Sequence, residues 1–355
     1  MVESHVPPDQ HEKNRISEWK SRLVAASRFA ARGVAYLVVT LLVLWAVLAI
    51  HWSGIPWGWL RVALMIGWAA ISVFCLIFLR SKVGYTTFGI LWLAILWGWI
   101  MIKPSNQRDW REEVRVTPKV EIDGDRVKIT GVRNFEYRSV TDFTPRYEDR
   151  ELDLSHLIGV DLFVSYWKIG PVAHTFVSFI FDNAPPLCIS IEARMEKGEV
   201  YSPLASCFKQ AELIYVVGDE NDVVRLRTDF RQELVYLYHV RTSPAGARNL
   251  FLSYVKRINH LAENPEFYHL LANNCTVNID RHASKSGRVR DFDLRLLLNG
   301  YVDGLVYSMG LLDRGMPFHE LRDRSQISAS ARAVGPEANF SQQIRQGLPT
   351  PTVRP

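Results

Sequence analysis

The sequence predicts three transmembrane α-helices followed by an α+β domain. Three observations predict it: uncharged apolar runs crowded into the first 102 residues, strand-like segments through the middle of the chain, and segments of helical period after them. A length of 355 residues allows about two domains at ~100–200 residues each. The hydrophobic share of 48% is ordinary for a globular protein, but its distribution is not. Residues 1–102 hold nine Lys or Arg and four acids, which leaves 33 of each sign for the remainder. The formal charge of +5 therefore belongs to the N-terminal segment. Nucleic-acid binding needs a basic patch on a folded domain, and a neutral C-terminal part argues against it.

The uncharged runs are Val34–Trp52, Val62–Leu79 and Tyr85–Ile102. A helix needs about 20 apolar residues to cross ~30 Å of hydrocarbon, so each run is long enough to span. Three such runs joined by short connections, the first starting as late as Val34, fit a cleaved signal peptide poorly and argue against buried core helices. Six Lys or Arg precede the first run, the Ile50–Gly58 connection carries none, and the second connection carries Arg80 and Lys82. The positive-inside rule then places residues 1–33 in the cytoplasm and everything after residue 102 outside. Trp52, Trp57, Trp59, Trp97 and Trp99 fall near that outer face as an interfacial belt, and Arg61 can snorkel to it.

Residues 103–130 read as a juxtamembrane linker and hairpin. Pro104 and Pro118 bracket a polar stretch, and Val120–Ile129 holds two alternating runs around Asp123-Gly124. Gly159–Ile169, His174–Phe181, Leu187–Ala193, Leu213–Val217 and Leu234–Thr242 are rich in Val, Ile, Phe and Tyr and predict strands. Ala245–Leu261 has Leu250, Tyr254, Ile258 and Leu261 at helical spacing and stops near Pro265. Further helices are predicted over Glu266–Leu271, from Asn273-Asn274-Cys275 onwards, and over Asp293–Leu312. Residues 322–355 turn to Ser, Arg, Gln and Pro and read as a mobile tail. A sheet followed by helices suggests an α+β domain.

Cys75 lies inside an apolar run and reads as a small apolar residue. The outer domain holds Cys188, Cys207 and Cys275, an odd number. Cys188 and Cys207 flank one short connection and are the pair to consider for a disulfide, with two plain thiols as the alternative. No Cys-x-x-Cys or His-x-x-x-His occurs, so neither zinc nor another metal cofactor is indicated. Cys275 sits at a predicted helix start, where orphan amides and the helix dipole favour a thiolate. A nucleophilic Cys also needs a base, usually a His held by a third polar group. His174 opens a strand, and the next strand carries Ser190 and Glu192 on one alternating face with Cys188 and Arg194. A carboxylate there can fix the imidazole tautomer, although Glu192 can equally form a structural ion pair with Arg194.

At these residues the sequence resembles the periplasmic domain family named after Lnb, a bacterial lipoprotein N-acyltransferase. The resemblance rests on Arg133–Arg138, Asp142–Arg146, Ala173–Ser178, Ser190–Arg194, Glu199–Ser202, Glu212–Tyr215, Asn273–Thr276 and Leu296–Gly300. It also resembles permuted papain-like (NlpC-like) enzymes, in which a strand His comes first, an orienting residue follows on the next strand, and a Cys follows at a helix start. That resemblance implies a catalytic domain over 131–321 with His174 as base, Cys275 as nucleophile and Glu192 as orienting group. It implies Arg194, Tyr201 and Asn274 as substrate-binding residues. It also implies a bacterial inner-membrane protein whose partners are membrane lipids or lipoproteins.

The function expected is thiol acyl transfer from a lipid or lipoprotein ester, with lipoprotein N-acylation the reaction that the resemblance suggests. A thiol peptidase or amidase of the cell envelope uses the same residues, with water as acceptor. A non-catalytic membrane scaffold is the third reading. The topology is checked by reporter fusions at Ser105 and Pro355. Both are expected to report the outer compartment, and a cytoplasmic signal from either overturns the orientation.

Overall fold

A computed structural model describes residues 10–79, 82–285, 293–296, 298–335 and 339–350. The chain divides into two compact units, Met1–Lys103 and Pro104–Pro355.

The first unit is three helices: α1 (Gln10–His51), α2 (Gly58–Val73), which continues as a π-helical turn over Phe74–Leu79, and α3 (Lys82–Met101). All three are long and apolar enough to cross a membrane. No Pro or Gly interrupts α1 before Gly33, so the helix extends well ahead of its apolar run. Small and aromatic residues face inward: Ala46, Ala49, Trp68, Cys75 and Phe88 are buried. Two indole N–H groups, on Trp68 and Trp92, donate to the α1 carbonyls of Val43 and Leu42 at 3.2 and 3.1 Å. Leu37, Leu41, Ile66, Ile77, Ile90 and Leu93 point outward, as lipid-facing positions do. Arg80, which contributed to the expected orientation, lies outside the described residues.

The second unit is built on a mixed sheet. Its strands are β1 (Lys119–Asp123), β2 (Arg126–Arg133), the small pair β3 (Glu136–Tyr137) and β4 (Phe143–Thr144), β5 (Tyr147–Asp153), β6 (Leu157–Tyr166), β7 (His174–Phe181), β8 (Leu187–Arg194), β9 (Glu212–Asp219) and β10 (Leu234–His239). The main sheet runs β1-β2-β9-β8-β7-β6-β10, with β5 also paired to β2. All neighbours are antiparallel except β2 and β9, which meet in parallel at Arg133 and Gly218. The β1–β2 hairpin turns where Gly124 takes φ +62°, a conformation that its missing Cβ permits.

Both faces of the sheet are covered, which explains why β6–β9 read as near-continuous apolar runs. One face packs under α5 (Pro244–Glu263) and α6 (Cys275–Lys285). Ser243 caps α5 by accepting from the Gly246 N–H at 3.1 Å, and Pro244 occupies its first turn. Ala247, Phe251, Tyr254, Ile258 and Leu261 then form one buried stripe against Val177, Phe179, Ile189 and Ile191. The opposite face carries Phe163, Phe176, Cys188, Val235 and Leu237. It lies under α4 (Glu220–Arg225), the π-helical turn Leu226–Phe230, α9 (Ser328–Ala333) and α10 (Phe340–Gln343).

Four expectations change. The expected linker is part of the domain: Asn106 donates to the carbonyls of Leu261 and Ala262 at 2.9 and 3.0 Å, and Trp110 and Val114 are buried. Glu266–Leu271 is not helical. Its backbone pairs instead with the start of β9, Leu213 N–H to Glu266 O at 2.7 Å and Tyr268 N–H to Ala211 O at 2.9 Å. Within Asp293–Leu312 the described residues form two 3-10 turns and a short helix, α7 (Val302–Ser308). Gly300 there lies against the Gly170–Pro171 backbone so closely that a Cβ would sit 2.2 Å from the Gly170 oxygen.

The mobile tail is the fourth. α8 (Phe318–Arg324), α9 and α10 all pack, with Ile327, Ala331, Phe340 and Ile344 buried. Arg345 forks between Glu220 at 2.6 Å and Asp161 at 2.8 Å, and both carboxylates are buried. A polar composition concealed a few apolar anchors at helical spacing and one ion-pairing Arg. Removing one partner of a buried pair strands the others, at about 3–5 kcal/mol. Arg345→Ala is therefore expected to lower the thermal midpoint of the detergent-solubilised protein sharply. An unchanged midpoint shows that this segment does not hold the domain.

Candidate active site

The first turn of α6 and the first residues of β7 bring the chemistry together. Asn274 caps α6, its side-chain oxygen accepting from the Val277 N–H at 2.9 Å, so Cys275 begins the helix where backbone amides are unpaired. The Thr276 and Thr175 hydroxyls meet at 3.1 Å and dock α6 on β7. This contact sets Cys275 beside His174, close enough for the imidazole to act on the thiol. Asn299 Nδ2 lies 3.7 Å from the Cys275 sulfur, while Asn299 Oδ1 accepts from the Ala173 N–H at 2.8 Å.

The imidazole is held from behind by a relay. His174 Nε2 lies 2.7 Å from Ser190 Oγ, and Ser190 Oγ donates to Glu192 Oε1 at 2.8 Å. Arg227 Nη2 donates to the same carboxylate oxygen at 2.8 Å. A serine hydroxyl has one proton, and here Glu192, an acceptor only, takes it. The Ser190 oxygen must then accept from His174, so Nε2 carries the proton and Nδ1 keeps the lone pair that can receive one from Cys275. Glu192 itself lies 3.9 Å from Nε2 and acts through Ser190.

Electrostatics follow the geometry. Burial alone would push the Cys275 thiol up. The hydrogen bond and charge of His174, with the donors of Thr175, outweigh burial and bring it down to about 6. Burial likewise disfavours the Glu192 carboxylate, but Arg227, His174 and Arg133 hold it well below the usual carboxylate range. Arg227 is itself buried, donates to the Val223 carbonyl at 2.6 Å and stacks 4.7 Å over the Phe176 ring. Burial and the Glu220 carboxylate push the Cys188 thiol up, and the charge of Arg227 and the Ser178 hydroxyl do not offset them. Cys188 and Cys207 are free thiols, so the disulfide considered from sequence is not formed.

His174 opens on a cavity of about 240 Å³ whose lining includes Arg111, Trp167, Glu192, Tyr201, Arg231 and Tyr268. A second cavity of about 110 Å³ lies on the other side of the pair. Thr175 and Thr276 line it with Val177, Leu250, Ile279 and Leu305.

His174, Glu192, Cys275 and Tyr201 thus gather at one site. Two of the expected substrate-binding residues do not. Arg194 is buried and spends its guanidinium on the Val114 and Arg115 carbonyls and Asn106 Oδ1, at 2.8, 2.6 and 2.8 Å, while stacking over Trp110. It fastens the incoming chain to β8, and it does not pair with Glu192. Asn274 is buried as the α6 cap and also donates to the Leu270 carbonyl. Sequence reasoning did not single out Asn299, Arg227 or Arg231. Asn299 belongs to the quoted Leu296–Gly300 block, whereas no local signal marks the two arginines. Other histidines are engaged elsewhere: His156 on Asp182 at 2.6 Å, His239 on Asp161 at 2.7 Å, and His282 between Tyr215 and Ser253 at 2.8 and 2.6 Å.

Residues 143–300 match the family model described as the Lnb N-terminal periplasmic domain. The match takes in His174, Ser190, Glu192, Arg227, Cys275 and Asn299. It leaves out the three apolar helices, the β1–β2 hairpin and the C-terminal helices. Together the apolar helices and this domain suggest a membrane protein with a periplasmic domain. No curated protein and no solved structure matches the chain.

A thiol lowered to about 6 is alkylated as thiolate through most of the neutral range. The rate of Cys275 modification by iodoacetamide is expected to rise with a midpoint near pH 6, ahead of Cys207. His174→Ala is expected to move that midpoint upward, because burial is then opposed only by the Thr175 donors. A midpoint that stays put in His174→Ala removes His174 from the site.

Proposed function

We propose that the protein is a membrane-anchored thiol acyltransferase of the bacterial inner membrane. In this reading its N-terminus is cytoplasmic, its Lnb-type domain has a permuted papain-like arrangement, and its substrates are membrane lipid or lipoprotein esters. The observation that favours transfer of an acyl chain, over hydrolysis of a peptide, is an apolar cavity that begins one residue from the nucleophile. Thr175 and Thr276, the direct neighbours of His174 and Cys275, line it, and most of the remaining lining is apolar. An acyl chain on Cys275 has an apolar place to lie, which a peptide bond does not require.

His174 Nδ1 takes the Cys275 proton, and the thiolate attacks the ester carbonyl. The unpaired amides at the start of α6 are the nearest donors for the oxyanion, with Asn299 Nδ2 beside the sulfur. The C–O bond breaks, the alcohol leaves with the proton held by His174, and a thioester remains on Cys275. An amine then attacks the thioester, gives a proton to His174, and releases the thiolate as the amide forms. The Ser190–Glu192–Arg227 relay keeps the imidazole in the tautomer for both proton transfers and supports its charge. A lipoprotein N-terminal amine is the acceptor this reading favours.

Incubation with a lipoprotein or phospholipid donor is expected to add an acyl mass to Cys275 that neutral hydroxylamine removes. Cys275→Ser abolishes the adduct, and His174→Ala slows its formation by ~10²–10⁴. Lipoprotein N-acylation, read by mass spectrometry in cells with and without the protein, identifies the acceptor. Full activity in Cys275→Ala would falsify the thioester route and leave a binding module.

A further inference from the structure

The exposed apolar side chains of the domain are not scattered. Among the described residues from Pro104 onwards, twelve large hydrophobic side chains are exposed, and nine of them lie in four loops. The loops are 167–173 between β6 and β7, 195–211 between β8 and β9, 264–274 ahead of α6, and 298–301. Val200 at 76% and Ile169 at 69% are the most exposed of the twelve. The three outside these loops are Ile122, Val140 and Ile158.

All four loops meet at one end of the sheet. β6 and β8 finish there and β7 and β9 begin there, with Ser165 paired to His174 and Arg194 to Glu212. The Gly300 N–H donates to the Pro171 carbonyl at 3.0 Å, which joins 298–301 to the first loop. Phe267 bridges to Glu212 and brings in the segment ahead of α6. Trp167, Tyr201 and Tyr268, from three of the loops, wall the cavity that His174 shares. Ile169, Val200 and Leu204 stand outside that cavity, on the loops that carry its walls. Charge is scarce here. Lys168 is the one Asp, Glu, Lys or Arg in 167–173, and 267–274 and 298–301 have none. In 195–211, Glu196 pairs with Arg108 and Lys197 with Asp109, at 2.8 and 2.7 Å.

Apolar side chains gathered in this way on an exposed face are kept where something covers them. Two observations name lipid as the cover. The first is composition: exposed Trp167, Tyr201 and Tyr301 with aliphatic neighbours and one long lysine stem are the side chains that settle at a bilayer interface. The second is where the chain enters the domain. α3 ends at Met101, and the Ser105 N–H already donates to Glu212 at 3.2 Å, at this same end of the sheet. Four residues of extended chain reach no more than about 14 Å. A span over α3 therefore leaves the lipid within a short reach of Ser105.

We propose that this end of the domain is a bilayer-binding surface, its four loops seated in the head-group region of the membrane that α3 crosses. It rests on the membrane-anchored reading above for the bilayer and takes nothing from the chemistry of Cys275. To that reading it adds a route: an acyl ester meets the thiol at the membrane surface, and no lipid has to leave the leaflet.

The test is fluorescence quenching on the full chain in vesicles of phosphatidylcholine and phosphatidylglycerol. An environment-sensitive dye is attached at Ile169→Cys, at Val200→Cys and, towards the other end of β6, at Ile158→Cys. The background carries Cys207→Ser and Cys275→Ala. Phospholipid bearing a nitroxide near its head group is expected to quench the first two sites severalfold more than the third. Leu204→Cys and Leu271→Cys carry the test if either loop variant does not fold. Loop sites quenched no more than Ile158 overturn the surface, and that is the result if a protein partner is the true cover, because these vesicles hold only lipid. Quenched loops in a chain whose unsubstituted parent takes no acyl adduct on Cys275 sink the transferase and leave the surface standing. An adduct with unquenched loops does the reverse.

Discussion

The ion pair between Arg227 and Glu192 is the constraint on which the site depends. Without the guanidinium, a carboxylate in that position would be driven towards its neutral form by burial. A protonated Glu192 could donate to Ser190 instead of accepting from it. The serine hydroxyl would then be free to turn its proton towards His174, and the imidazole would present the opposite tautomer to the thiol. One arginine, separated from the sulfur by His174, Ser190 and Glu192, therefore decides which nitrogen can serve as base. Arg227 can do so because the sheet face behind it is closed by other buried pairs, Arg133 with Asp222 at 2.8 Å among them.

Much of this was legible in the chain. The apolar runs announced the helices, and the β-rich segments fell close to the strands β6 to β10. His174, Glu192 and Cys275 could be named because each sits at a local signal: a strand start, an alternating strand face, a helix start. Arg227 and Arg231 carry no such signal. They lie in a polar-looking stretch after β9, and only the fold of the π-helical turn delivers one to Glu192 and the other to the cavity. Arg194 misled for the complementary reason. It shares a strand face with Ser190 and Glu192, but the chain entering from residue 104 covers that end of the strand and consumes its donors.

The C-terminal residues misled in a different way. Composition measures average polarity, whereas packing needs only an anchor every third or fourth residue. Ile327, Ala331, Phe340 and Ile344 supply those anchors, and the polar residues between them face water. Glu266–Leu271 was lost to a similar competition. Its helix propensity is modest, and unpaired backbone at the start of β9 offered partners that a short isolated helix lacks.

Arg345 meets Asp161 across 184 residues of chain. A loop of that length closes at an entropic cost that grows only slowly with size, but it cannot close before its last residue exists. The same C-terminal helices lie over the turn that bears Arg227, with Arg332 donating to the Thr228 carbonyl at 3.2 Å. The relay behind His174 is thus roofed by helices that follow it in the chain. During synthesis the thiol and imidazole emerge well before their support does. A nascent chain that has not yet reached α9 and α10 carries a reactive cysteine without a disciplined base, so the order of manufacture itself acts as a delay on competence.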